Sequence, residues 1–302
     1  MPDAQIPDGA RERLIRMRTP RGDKPAFFTS DLSVNEYYLL EQAGFEPLGF
    51  VMGSSFYHIG IQWTIMPFQN YELDVLTQAL YHARENAMAR MEEEAALLDA
   101  DGIVGVRLEV GEHTWGPGMV EFTALGTAVR ALDRSKDYRK KNGRPFTSDL
   151  TGQNFWTMLR TRCRPLELAM GNCVYHVGRR GFRQSLGQFG KNVELPNYTQ
   201  ALYTARELAL ERLQAEAERV EANGIVGVEV QQSNYGWGSH VIEFFAIGTA
   251  VDREDHILPE ATAPGLMLSL NDAPRGSRVL TRRSPTTGTS TAGTDAAAAA
   301  AG

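Results

Sequence analysis

Apolar residues recur at helical spacing in two long stretches. Leu73, Leu76, Leu80, Ala83, Ala87 and Met91 form the first set, and Leu202, Ala205, Ala209, Leu213 and Val220 the second. Steps of three and four place each set on one face of an amphipathic helix. Pro196 suits the first turn of the second helix, and Gly102 and Gly224 stand where left-handed caps would close both. Ahead of each helix, 48–59 and 166–177 read as strands. In the first, Leu48, Phe50 and Met52 alternate with Gly49, Val51 and Gly53. Behind the first helix, 103–110 sets Val104, Val106, Leu108 and Val110 on one face and Arg107 and Glu109 on the other, and closing strands are expected at 119–129 and 241–251. Upstream, Ser33 with Glu36 makes a capping box for a short helix ending at Gly44. Thr151 repeats the cap, with Asn154 in place of the Glu.

The pattern repeats because the sequence repeats. Gly102-Ile103-Val104-Gly105-Val106 returns at 224–228, and the segment from Glu121 to Val129 returns from Glu243 to Val251, each 122 residues on. Thr29-Ser30-Asp31-Leu32 and Tyr57-His58-Ile59-Gly60 return as Thr147-Ser148-Asp149-Leu150 and Tyr175-His176-Val177-Gly178, 118 residues on. The four-residue difference falls in the loop between first strand and long helix, where insertion is tolerated. A duplicated α+β domain follows, each copy a β-α-β-β unit with an added short N-terminal helix. The boundaries read as a flexible N-terminal tail at 1–23, a first copy at 24–130, a basic linker at 131–141 and a second copy at 142–254. A disordered Ser-, Thr-, Ala- and Gly-rich tail is expected at 255–302.

One helix covers one face of a three-stranded sheet and leaves the other face and both edges open, so self-association is expected. At 302 residues and 42 % hydrophobic content the chain can bury two ordinary cores. No apolar run is long enough to span a membrane. The N-terminus lacks the basic-then-apolar pattern of a secretory signal, and the two cysteines, Cys163 and Cys173, are not spaced as a metal or redox pair. A reducing cytoplasm is the expected compartment. The net charge of −6 argues against nucleic acid as the main partner. Between Arg130 and Arg144, however, seven Lys or Arg face two Asp, a charge run read as a solvated linker.

Ala83-Arg84-Glu85, repeated as Ala205-Arg206-Glu207, leads into Gly-Ile-Val-Gly-Val and closes on Leu/Ile-Gly-Thr-Ala-Val. This order of motifs, over about residues 45–130 and 163–252, resembles the YbjQ-like family, whose domain carries a heavy-metal-binding label. The resemblance implies a dodecin-like β-α-β-β fold, assembly as a homopentamer or stacked rings, and a divalent or heavy-metal ion as candidate cofactor. The family has an acidic residue after the Gly of the first strand; here Ser54 and Asn172 follow Gly53 and Gly171, so no role of that carboxylate carries over.

His58 and His176 are the histidines at matched positions and the first metal candidates, with Glu121 and Glu243 as assisting carboxylates. A metal needs several converging ligands, which one His per copy does not supply, and a His at a strand end equally serves as a backbone hydrogen-bond partner. Glu121 could instead pair with Arg107, although the second copy has Glu229 there. Arg84 and Glu85, with Arg206 and Glu207, point to different sides of their helices and suit salt bridges between subunits. Trp115 and Trp237, in Gly-rich turns, suit an interface anchor or a stacking platform. No nucleophile–base signature accompanies them, so no catalytic residue is assigned and no enzyme is expected. The function expected is a ring-forming assembly or binding module, with metal-ion or small-ligand binding as the alternative.

Overall fold

A computed structural model describes residues 6–20, 23, 26–58, 68–112, 119–178, 195–233 and 240–253. The expected tail at 255–302 and the two candidate tryptophans, Trp115 and Trp237, lie outside the described residues.

The chain runs α1 (Asp8–Arg18), α2 (Val34–Gln42), β1 (Phe45–His58), β2 (Tyr71–Glu72), α3 (Asp74–Leu97), β3 (Gly102–Glu112) and β4 (Met119–Ala131). The second half follows as β5 (Phe146–Thr147), α4 (Gly152–Arg160), β6 (Cys163–His176), α5 (Pro196–Arg219), β7 (Gly224–Ser233) and β8 (Val241–Arg253). The fold is α+β, with two four-stranded sheets ordered β1-β4-β3-β5 and β2-β6-β8-β7. The capping box at Ser33 and Glu36 is formed, and Gly44 takes the left-handed position after α2 at φ +82°.

Three expectations are corrected. Residues 1–23 contain helix α1, held by the fully buried Leu14 and by Arg13, which reaches Glu94 at 3.2 Å. The left-handed caps of the long helices are Asp99 and Glu221, not Gly102 and Gly224. There the amides of Asp99 and Ala100 donate back to Ala96 and Ala95, a Schellman closure. Gly102 is glycine for another reason: a Cβ there would lie 2.0 Å from the Phe146 ring. Finally, the basic linker is not merely solvated. Arg134 and Arg139 pair with Asp101, and Lys140 bridges Glu92 and Glu167 at 2.7 and 2.9 Å.

Each copy lends a strand to the other's sheet. β2, from the first copy, pairs antiparallel with β6, and β5, from the second, pairs parallel with β3. Helix α3 sits between the sheets. Ala83, Ala87 and Met91 share one core with Val51 and Phe122 of the first sheet and with Met170, Phe245 and Ile247 of the second. Helix α5 covers the far face of the second sheet through Ala205, Ala209, Leu213 and Ala217. The layers are therefore sheet, helix, sheet, helix. As a result β6 is covered on both faces while β1 is covered on one: Met170 is 5 % exposed and its counterpart Met52 46 %.

Candidate functional site

The joint between the copies is built around a charge. Arg84, on α3, presents two guanidinium nitrogens to the Glu243 carboxylate on β8, at 2.7 and 3.1 Å. Both side chains are almost wholly buried, at 2 % and 1 % exposure. Two parallel N–H donors on one carboxylate are the strongest geometry open to an ion pair. The guanidinium also lies over the rings of Phe245 and Phe122, at 4.1 and 5.0 Å. Around the pair, Asn172 Nδ2 donates to the Thr77 carbonyl, and the Val174 amide donates to Thr77 Oγ1. Arg212 holds Glu72 at 2.6 and 2.9 Å and reaches the Asn172 carbonyl. Here the inter-subunit expectation for Arg84 is corrected, since its partner belongs to the other copy of the same chain.

The remaining candidates are not brought together. Glu85 contacts His82 on its own helix, and Arg206 contacts the adjacent Glu207 at 2.7 Å. Arg107 pairs with Asp31 rather than Glu121, at 2.8 Å. Glu121 is half-buried, on the outer face of β4 opposite Phe56, and Thr123 Oγ1 donates to it. The two matched histidines have different surroundings. His58 is exposed at the end of β1, whereas His176 is buried, its Nδ1 donating to the Gln69 carbonyl at 3.1 Å and its ring against Tyr71.

This donor set does not fit a metal in the second copy. Both Glu243 oxygens are taken by Arg84, and His176 is already hydrogen-bonded through one ring nitrogen. In the first copy His58 and Glu121 are diagonal neighbours on one sheet face, two donors where a site needs three or four. Among the described residues no three His, Cys, Asp or Glu gather as a metal would require. Burial, reinforced by the Glu72 carboxylate, pushes the Cys173 thiol up to about 12, which disfavours the nucleophilic thiolate near neutral pH.

Two half-buried carboxylates are instead shifted toward neutrality. Burial raises Glu216 to about 7, although its carboxylate accepts the Met170 amide, and raises Asp149 to about 6, although Thr249 donates to it at 2.5 Å. Both groups hold protons in the folded chain that the unfolded chain has already released. Their contribution to stability is complete below about pH 4, falls as pH rises through the interval up to 6 and 7, and is flat above it. Glu216→Gln keeps an acceptor for Met170 and removes the titration. Its melting temperature is expected to exceed that of the parent by roughly 5 °C at pH 8 and to match it at pH 4, as calorimetry would read.

A family model described as "Putative heavy-metal-binding", the YbjQ model, matches residues 59–132 and 169–254. A Mycobacterium tuberculosis protein named "Encapsulin nanocompartment protein Rv1762c" is 54 % identical over 226 residues, covering 75 % of this chain and 86 % of the relative. Shorter matches include UPF0145 protein NP_2600A of Natronomonas pharaonis, 44 % identical over 59 residues, 20 % of this chain and 55 % of that protein. UPF0145 protein ACIAD2946 of Acinetobacter baylyi is 36 % identical over 91 residues, 28 % of this chain and 78 % of that protein. Among the described residues no helix is long and apolar enough to cross a membrane.

Proposed function

Because the chain belongs to the YbjQ-like family, in tandem form, we propose that it is a non-enzymatic self-assembling module of the cytoplasm. Its copies join head to tail and the chains close into a ring, with a homopentamer or stacked rings as the expected state. The observation that carries this reading is the joint itself. The Arg84–Glu243 pair and the strand exchange of β2 and β5 use different surfaces on the two copies. A joint of that kind is heterologous, so it can propagate, and it closes into a ring when the rotation per step allows. The name of the Mycobacterium tuberculosis relative ties that protein to an encapsulin nanocompartment, and we extend the association to this chain: its assembly serves such a compartment.

Native mass spectrometry of protein purified without chelator is expected to give a five-chain mass, unchanged when chelator is added. A single-chain mass would overturn the assembly. A stoichiometric mass excess removed by chelation, and lost in His58→Ala with His176→Ala, would establish the metal-binding alternative instead.

A further inference from the structure

The joint inside the chain has two sides, and each copy uses only one of them. The first copy contributes α3 and the outer edge of β3; the second contributes the outer face of its sheet, the edge of β6 and the segment at 146–150. Matched residues are therefore buried in one copy and exposed in the other. Phe146 is wholly buried against Gly102, while its counterpart Phe28 is 44 % exposed. A Cβ on Gly224, the counterpart of Gly102, would meet only a Val251 methyl at 3.8 Å. Arg206, the counterpart of Arg84, is 42 % exposed on the outer side of α5.

We propose that this joint is repeated between molecules: the second copy of one chain receives the first copy of the next. Phe28 seats on Gly224, the segment at 28–32 pairs with the edge of β7, and Arg206 meets Glu121. The inference rests on the assembly reading above and specifies its contact.

Continuity with the internal joint names a second copy of this chain as the occupant. The incoming segment already has the shape it needs. Thr29 Oγ1 accepts the Phe50 amide at 2.9 Å, as Thr147 Oγ1 accepts the Leu168 amide at 2.9 Å. Asp31 accepts from Thr127, as Asp149 accepts from Thr249, both at 2.5 Å. Segment 28–32 is thus held as 146–150 is held, which removes most of the ordering cost of pairing. The receiving edge has its ladder ready too. On β3 the Asp101 and Ile103 carbonyls accept the Phe146 and Ser148 amides, and the Gly105 and Val106 amides donate to Leu150 and Ser148. On β7 the same Gly-Ile-Val-Gly-Val backbone ends the sheet among the described residues, with Val228 exposed. An edge of this length carrying apolar side chains is one that proteins cover. The match departs at one contact: where Arg84 lies over Phe245, Arg206 would face Thr123.

The test uses the full chain, with solution mass by light scattering and fold by circular dichroism. Gly224→Leu fills the Phe28 seat while leaving room inside the molecule, and Arg206→Glu sets two carboxylates against each other. Each is expected to raise the concentration for half-assembly at least tenfold with an unchanged circular dichroism spectrum. Adding Glu121→Arg to Arg206→Glu is expected to restore it. If the parent assembles and both variants keep its mass, this contact is wrong and the assembly reading stands. If the parent is a single chain at all concentrations, the assembly reading falls and this inference falls with it.

Discussion

Arg84→Met is expected to lower the stability of the chain by about 3–5 kcal/mol, because it strands a carboxylate where water cannot reach it. Glu243 is 1 % exposed, with Phe245 on the same strand face and the Asn172 amide at 3.5 Å. Glu243→Leu is expected to cost a similar amount by leaving the guanidinium unmatched. The double change Arg84→Met with Glu243→Leu removes both charges and fills the site with apolar volume, and it is expected to recover most of the loss. The coupling energy from chemical denaturation of the four chains reads the outcome. Additive single effects would show that the pair does not bind the copies together. A large coupling would locate the charge pair as the device that fixes how the copies meet, because apolar surfaces alone can slide against one another while a buried pair cannot.

That pair also shows where sequence reading stops. The long helices and main strands were legible because their apolar residues follow periods of 3.6 and 2 over many positions. Helix α1 was not, since among the described residues 6–20 only Ile6 and Leu14 are buried and the hydrophobic signal is correspondingly weak. The exchanged strands β2 and β5 span two residues each, too short to show any period. For the site, the duplication made Arg84, Arg206, Glu121 and Glu243 visible as matched residues, yet it gave matched residues the same role. The described residues contain one joint between the copies, which uses Arg84 and Glu243 and leaves Arg206 and Glu121 elsewhere. The same asymmetry separates His176, buried beside Tyr71, from His58, exposed at the end of β1. Two identical local sequences cannot tell a reader which of them faces the interior of a pair.

The asymmetry has a mechanical consequence at the two glycines where helix meets strand. A Cβ at Gly53 would fall 2.2 Å from the Ala87 carbonyl oxygen, and one at Gly171 would fall 2.1 Å from that of Ala209. Both obstacles are helix backbone, so no side chain can swing aside and the helix itself must retreat. Helix α3 has nowhere to go, because the second sheet packs against its other side through Phe245 and Met170. Gly53→Ala is therefore expected to cost about 3 kcal/mol or more, at the upper end of overpacking penalties. Among the described residues helix α5 has no second sheet behind it, and Arg206 and Tyr203 on it are exposed. Gly171→Ala is expected to cost about 1–2 kcal/mol in a dissociated chain, because the helix can lift. In an assembly where the next chain's first sheet backs α5, that freedom disappears and the two substitutions should converge. Melting temperatures of both variants, recorded above and below the concentration for half-assembly, measure the difference. Equal penalties at every concentration would mean that α5 is clamped by something other than a second copy.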